Sequence, residues 1–469
     1  MVKMAEGDEL WRNEVLTSIC NCPWFTRKWA IQEYVLSRDS YFQCGGKRLQ
    51  SSKLFQAVKH LDEQVGHKEN FVYVFTLKSS FWAYLYCFNQ LKQNLTRGEG
   101  LGGFSYLDIF NTGRCQLATN PKDAILGLYG MLQKLQINVP PPDYSQSVEQ
   151  LYTKATKSVI VHDKSLLVLR QTSESRDWPD LPSWVPDWNQ QLNHGMKEES
   201  QFDPSFSTSK NDSAKFTFLS DNKSISVRGC FVGKITRAAK AYIVGDEDVL
   251  DFPEFQRDSE MEWQGMVHIE AYLEWIEMVT TLTTYAKREN SRTTLFSTLV
   301  STASQEQDWV DDCFDSWLQS FLPSIPKQLS SKFQISPSMS LPDTERDSGN
   351  TSQKGSDTLK GSPHDKKRDY DAIWAKINGD QKACRFHVLA FHYCKETRPF
   401  ITSEGYLGKG LKAIREGDLV ALIAGVDLPM IIRKEGDLYR LKGPAYIHGI
   451  MNGEKWPTDD NDLIDIVLS

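Results

Sequence analysis

Two stretches with strand patterning, far apart in the chain, constrain the fold more than any other feature. Phe216-Thr217-Phe218-Leu219 and Ile225-Ser226-Val227-Arg228 alternate around the turn residues Asp221-Asn222, and Gly229 to Ala238 extends the pattern. That arrangement predicts a hairpin followed by a third strand. Short strand patterns return between Glu404 and Met451, namely Leu419-Val420-Ala421-Leu422-Ile423, Met430-Ile431-Ile432 and Tyr439-Arg440-Leu441, separated by Gly425, Gly436-Asp437 and Gly443. Neither piece can hide an apolar face alone. Residues 214–240 and 404–451 are therefore expected to join into one small mixed β-sheet or barrel, interrupted by a helical insertion.

The remainder is helical in period. Asp8 to Ile19 carries Leu10, Trp11, Val15, Leu16 and Ile19 at helical spacing. Trp24 to Leu36 resumes that spacing after Pro23, and Tyr41 to Cys44 reads as a short strand closed by Gly45-Gly46. Ser51-Ser52 caps a further predicted helix, Phe71 to Leu91 predicts a buried one, and Ser147 to His162 another. Pro179 to Trp188 is a Pro/Trp-rich coil. The fold class expected is α+β with a mainly helical N-terminal part. The division expected is 1–190 helical, 191–258 the first half of the β module, 259–323 the helical insertion, 324–369 a Ser/Pro/Asp/Lys-rich disordered linker, 370–403 a helix and connector, and 404–469 the second half of the β module.

Composition narrows the function classes. The 469 residues are 40% hydrophobic and 25% charged, as in soluble globular proteins, and 13 Trp, 17 Tyr and 23 Phe supply a packed interior. A net charge of −7 argues against a nucleic-acid footprint, because the densest basic cluster, Lys366-Lys367-Arg368, falls in the predicted linker. No apolar run of membrane-spanning length occurs, so no membrane span is expected. The odd count of nine Cys (Cys20, Cys22, Cys44, Cys87, Cys115, Cys230, Cys313, Cys384, Cys394), with no apolar signal core at the N-terminus, points to reduced thiols and a cytoplasmic location.

Five ordered blocks carry a family resemblance. Trp24-Phe25-Thr26-Arg27-Lys28-Trp29-Ala30-Ile31-Gln32-Glu33, followed by Cys44-Gly45, resembles the closing segment of the fungal heterokaryon-incompatibility (HET) domain. Ala118-Thr119-Asn120-Pro121-Lys122-Asp123 with Leu128-Tyr129-Gly130 resembles a second block of that family. Asp143-Tyr144-Ser145, Leu181 to Trp188, and the tail from Gly405 through Gly417-Asp418-Leu419-Val420 to Tyr446–Glu454 follow in the family's order. The Ala-Leu-Ser-Tyr-x-Trp-Gly and Trp-Ile-Asp-x-Ile-Cys-Ile-Asn-Gln blocks with which HET proteins usually begin are not among these residues, so the expectation is a HET protein lacking the N-terminal half of its signature domain. Enzymatic activity assigned to that half is not carried over.

The residue chemistry around the first block favours interaction. Trp24, Phe25 and Trp29 bracket Arg27, and Trp and Arg dominate interface hot spots. If the block is one helix, Phe25 and Trp29 are neighbours on one face, and that face is expected to be bare. The competing reading is an aromatic core wall with Arg27 paired to a carboxylate. Gln32 and Glu33 complete a possible interaction site of Trp24, Phe25, Arg27, Trp29, Gln32 and Glu33. Asp123 and Asp143 sit by proline turns, where Asp commonly bonds its own backbone.

No catalytic motif emerges, and no cofactor is expected. Gly229-Cys230-Phe231-Val232-Gly233-Lys234 is one residue short of a phosphate loop and lies in a strand pattern. Cys384, His387, His392 and Cys394 offer zinc-ligand types but without the intervening loop that lets a chain wrap a metal. Asp311-Asp312 and Asp459-Asp460 read as solvated faces. The resemblance thus implies a non-enzymatic protein of fungal self/non-self recognition or programmed cell death, with a protein partner. The alternatives are an accessory enzyme or regulator of a fungal metabolic gene cluster, and a truncated, inactive gene product.

Overall fold

The computed structural model describes residues 22–65, 81, 83–137, 141–172, 177–190, 205–242, 259–282, 291–301, 308–333 and 363–469. The helix expected over Asp8 to Ile19 lies outside them. The N-terminal part contains α1 (Ala30–Val35), the hairpin β1 (Tyr41–Cys44) and β2 (Lys47–Gln50), α2 (Ser51–Val65), α3 (Asn89–Arg97), α4 (Tyr106–Gly113), α5 (Asp123–Leu126), α6 (Tyr129–Lys134) and α7 (Val148–Asp163). The apolar stretch read as one helix from Phe71 is described only from Phe81, and it enters α3 through a π-helical turn, Ala83–Phe88.

The separated β pieces do come together. β3 (Phe216–Phe218) pairs antiparallel with β4 (Ile225–Ala238), and β4 runs through as one strand rather than two. β5 (Thr397–Thr402), β6 (Leu407–Leu411), β7 (Leu419–Ile423), β8 (Met430–Glu435), β9 (Leu438–Ile447) and β10 (Ile464–Leu468) join it in an eight-stranded sheet. The pairings run β4–β5–β6–β9–β8–β7 and return to β4, so the sheet closes on itself. One 14-residue strand can serve β10, β7 and β5 in turn, beside its pairing with β3, because it is bent twice. Its first residues pair with β10, the middle with β7 and the end with β5, with register shifts between Phe231 and Gly233 and between Ile235 and Arg237. Such bulges twist and bend a strand, which is how barrel corners are made. Gly229 marks the hand-over from β10 to β7. A Cβ there would lie 2.3 Å from the Leu422 carbonyl oxygen.

The insertion between β4 and β5 holds α8 (Ser259–Thr281), α9 (Ser291–Val300), α10 (Asp308–Phe321), α11 (Lys327–Ser330), α12 (Pro363–Gly379) and α13 (Gln381–Cys394). The expected linker 324–369 is thus partly helical: α11 lies inside it and α12 begins before its end. Residues 334–362 lie outside the described part. The expected 370–403 helix is two helices broken at Asp380, whose carboxylate caps α13, and β5 follows them. Pro399 hid β5 from a strand reading. The phosphate-loop lookalike at Gly229 is interior strand.

Three apolar layers result. Ile235, Phe400, Val420, Ile431, Ala445 and Ile447 fill the barrel. One outer face, including Ile225, Val227, Ile423, Met430, Ile466 and Leu468, packs on the N-terminal helices. The insertion has its own core around Tyr272, Trp275, Phe314, Trp317 and Phe386. The Pro/Trp coil straps the first two together: Trp184 and Trp188 are fully buried, Trp184 Nε1 donates to the Lys223 carbonyl at 2.7 Å, and the Ser183 amide donates to the Ser469 carbonyl at 2.8 Å.

A recurrent device finishes the helices. Carbonyls at a helix C-terminus lack intrahelical partners and carry partial negative charge. Here distant lysines supply the donor. Lys92 reaches the Tyr34 carbonyl of α1 at 3.1 Å, Lys332 the Thr280 carbonyl of α8, and Lys409 both the Leu299 carbonyl of α9 (2.7 Å) and the Tyr393 carbonyl of α13 (3.0 Å). Lys409, on β6, thereby pins two insertion helices to the barrel. Burial pushes its pKa down to about 8.

Candidate functional site

The first block does not form one helix. Pro23–Thr26 is a 3-10 turn, Arg27 is extended with φ −85° and ψ 126°, and α1 starts only after Trp29. The cause is a short parallel bridge between Arg27 and Leu117: the Leu117 amide donates to the Thr26 carbonyl at 2.6 Å, and the Lys28 amide to the Leu117 carbonyl at 3.0 Å. This break resets the side-chain phase, so Phe25 and Trp29 do not share a face. Phe25 is buried against Phe81, with ring centroids 4.9 Å apart, and against Trp24, Phe42 and Tyr84. Trp24 is half-buried. The bare aromatic face expected from Trp24 to Trp29 is thereby corrected. From that block Arg27, Trp29 and Glu33 reach solvent, with Trp29 40% exposed. Among the described residues Arg27 has no carboxylate partner in ion-pair range.

What the structure brings together is the first block and the second. Trp29 Nε1 donates to Asp123 Oδ2 at 3.1 Å, and the Gly130 amide donates to Gln32 Oε1 at 3.1 Å. Lys28, between them, is fully buried and donates to the Gly113 carbonyl at the end of α4. Burial pushes its pKa down to about 7, with the Cys115 thiol opposing and Arg114 adding to the effect. Glycines make the fit. A Cβ on Gly127 would lie 2.6 Å from Lys28 Cγ, and one on Gly130 would lie 2.5 Å from Gln32 Oε1. The spacing of Asp123, Gly127 and Gly130 is therefore a docking pattern for the Trp29–Gln32 segment. Gln32 has a packing role here, and Glu33 is exposed.

The third block closes over the same carboxylate. Tyr144, 47% exposed, donates from its hydroxyl to Asp123 Oδ1 at 2.6 Å, which pushes the phenol pKa up to about 12. Lys122 Nζ donates to the Tyr144 carbonyl at 2.7 Å. Asp143 holds its own turn, accepting from the Ser145 amide at 2.9 Å and from the Ser145 hydroxyl at 2.6 Å, as expected of an Asp in such a turn. The result is a solvent-facing constellation of Trp29, Asp123 and Tyr144, with Leu117 (54% exposed) beside Arg27 and Leu36 (43% exposed) against Gly130. A shallow apolar groove lined by Leu126, Tyr129, Leu132, Leu151, Lys154 and Ala155 lies on the same helices. Arg27, Trp29, Gln32 and Glu33 could be named from sequence. Asp123 as the hub and Tyr144 as its second arm could not, because they lie 94 and 115 residues beyond Trp29 in the chain and only the fold shows them meeting.

Of the zinc-type residues, His387 accepts from Trp317 Nε1 at 3.4 Å and Cys394 contacts the Leu299 carbonyl at 3.5 Å, both inside the insertion core. Among the described residues no group of three or more His, Cys, Asp or Glu is placed to hold a metal, and no helix is long and apolar enough to cross a membrane.

Comparison with known proteins agrees with the geometry. Residues 245–464 match a family described as the Het-6 beta-barrel domain. The chain is also 23% identical, over 485 aligned residues, to a Neurospora crassa protein named heterokaryon incompatibility protein 6, OR allele. The chain is thus similar to heterokaryon-incompatibility proteins, through its C-terminal half and along most of its length. The alignment covers 94% of this chain and 65% of the relative, so the chain spans about two-thirds of that protein's length. No solved structure matches it. The family match begins at residue 245, so β4, which closes the barrel of this chain, lies ahead of the matched residues.

Proposed function

We propose that this chain acts in fungal heterokaryon incompatibility or the programmed cell death that accompanies it, through contact with a protein partner in the cytoplasm rather than through catalysis. The fungal relative supplies the process. The observation that carries the mode of action is the interlock of three sequence blocks into one exposed surface. Trp29 and Tyr144, from segments far apart in the chain, are both held on Asp123 while 40% and 47% exposed, and Leu117 is 54% exposed nearby. Rigid, half-exposed Trp and Tyr beside Arg are the residue types that dominate protein interfaces. Aromatics needed only for stability would be covered.

The test is expression of the intact chain in a filamentous-fungal host, alongside a version carrying Arg27→Ala and Trp29→Ala, with viability and hyphal-fusion outcome scored. A growth or fusion defect from the intact chain that the double substitution abolishes is expected. An intact chain that is soluble and abundant yet neutral for growth and fusion would defeat the reading.

A further inference from the structure

We infer that the Trp29–Asp123–Tyr144 constellation is a binding site for a basic side chain, lysine or arginine, presented by a protein partner. The inference rests on the interaction reading above and names the chemistry of the contact.

Three observations lead there. First, Asp123 accepts from two neutral donors, Trp29 Nε1 and the Tyr144 hydroxyl, and no cation pairs with it among the described residues. The nearest lysine in sequence, Lys122, directs its ammonium to the Tyr144 carbonyl instead. A carboxylate oxygen carries two lone pairs, so each oxygen retains an acceptor position after these bonds. Second, the two donors are the polar tips of half-exposed aromatic rings, one on each carboxylate oxygen, which holds both rings beside the charge. A ring face attracts cations, most strongly for Trp, and a carboxylate beside two aromatic rings offers a cation both a charge and ring surface. Third, the chain is net negative, which favours the approach of a basic segment. An acidic or purely apolar partner would gain nothing from an unpaired carboxylate at the centre of the patch.

The clamp is also pre-organised. Holding Trp29 and Tyr144 on one carboxylate fixes both side chains before the partner arrives, which lowers the entropic cost of binding. Tyr144→Phe keeps the ring and removes only the tether.

The experiment uses the full chain labelled with 5-fluorotryptophan, with the Trp29 resonance assigned among the thirteen by its loss in Trp29→Phe. Nα-acetyl-lysine amide and its uncharged counterpart, Nα-acetyl-norleucine amide, are titrated in parallel. A saturable shift of the Trp29 resonance with the lysine probe and none with the norleucine probe is expected. Asp123→Asn should weaken that response at least tenfold, and Tyr144→Phe several-fold, with the other twelve resonances unmoved. If Asp123→Asn disturbs those twelve, Tyr144→Phe decides. Equal responses to the two probes, no response to lysine, or an affinity that neither variant changes would each overturn the inference. Failure here is separable from failure of the functional reading. A chain that binds the lysine probe but leaves a fungal host unaffected keeps this site and loses the incompatibility role, and the converse result does the opposite.

Discussion

Two buried ammonium groups make the stability of this protein depend on pH in an unusual direction. Lys28 and Lys409 are both fully buried, and desolvation lowers their pKa from 10.5 to about 7 and about 8. Between those values and 10.5 the folded chain has released protons that the unfolded chain still holds. Stability therefore rises with pH wherever the unfolded state binds more protons. At about 1.4 kcal/mol per pH unit per proton, the climb from pH 7 to pH 9 is worth roughly 2 kcal/mol from Lys28 and roughly 1 from Lys409, about 3 to 4 together. With an m value at or above about 3 kcal/mol/M, the urea midpoint should rise by roughly 1 M over that interval. The gain then reverses. Burial pushes the Cys87 thiol up to about 12 and the Cys394 thiol to about 11, and the Tyr84 and Tyr152 phenols also move up. Their stabilisation is complete below the unfolded values of 9.0 and 10.0 and is lost as pH climbs from there through the folded values. The assay is urea unfolding followed by tryptophan fluorescence at pH 7, 8, 9 and 10. Lys28→Met should leave the smaller part of the rise and Lys409→Met the larger part. A midpoint that stays flat or falls from pH 7 to 9, or a slope that neither substitution reduces, would refute the desolvation argument.

Other outcomes follow from single contacts. Asp163 accepts from the Tyr106 and Leu107 amides, both at 3.0 Å, at the start of α4, so Asp163→Ala should cost about 1–2 kcal/mol by chemical denaturation without moving the Trp29 site. Gly425 has φ +77°, and a Cβ there would lie 2.6 Å from the Ala214 backbone; Gly425→Ala should therefore sharply reduce soluble yield, whereas Gly379→Ala, with open space around it, should not. A fragment of residues 245–464 omits β4 and should show no cooperative unfolding transition by circular dichroism, while residues 205–469, which restore β4 and β10, should show one.

The fold was partly legible because its β residues obey a strong rule. Ile225, Val227, Ala421, Ile423, Met430 and Ile432 face one apolar layer and alternate with residues facing another, so period-2 patterning and glycine turns revealed β3, β4, β7, β8 and β9. The strands that escaped do not obey it. β5 contains Pro399, β6 reads Leu-Gly-Lys-Gly-Leu with a buried lysine at its centre, and β10 follows an aspartate-rich turn. Lys409 is the instructive case. A lysine in a strand reads as an edge or a surface, yet its partners are carbonyls at the ends of two helices that arrive from other parts of the chain, and no local pattern encodes that.

The site was legible at the level of residue type but not of arrangement, and the reason is again a non-local contact. Helical spacing from Trp24 onward predicts a continuous face, and local propensity alone would support it. The bridge from Arg27 to Leu117 overrides that propensity by one extended residue, which turns Phe25 inward and Trp29 outward. The second block shows why its residues have that spacing: Asp123 sits where the indole of Trp29 ends, and Gly127 and Gly130 leave room for Lys28 and Gln32. A Cβ at Gly127 would press on Cγ of the buried Lys28 and on the Asp123 backbone carbonyl, pushing the Trp29 segment away from the carboxylate that holds both aromatic arms, whereas one at Gly130 would meet only the movable tip of Gln32. Gly127→Ala should therefore release Tyr144 from Asp123 even though it makes no contact with the Asp123 carboxylate or with Tyr144, and the Tyr144 phenol pKa, held at about 12 by that hydrogen bond, should fall back toward 10.0 in a spectrophotometric titration against wild type. An unchanged Tyr144 titration in a folded Gly127→Ala chain would show that the two blocks are not mechanically coupled.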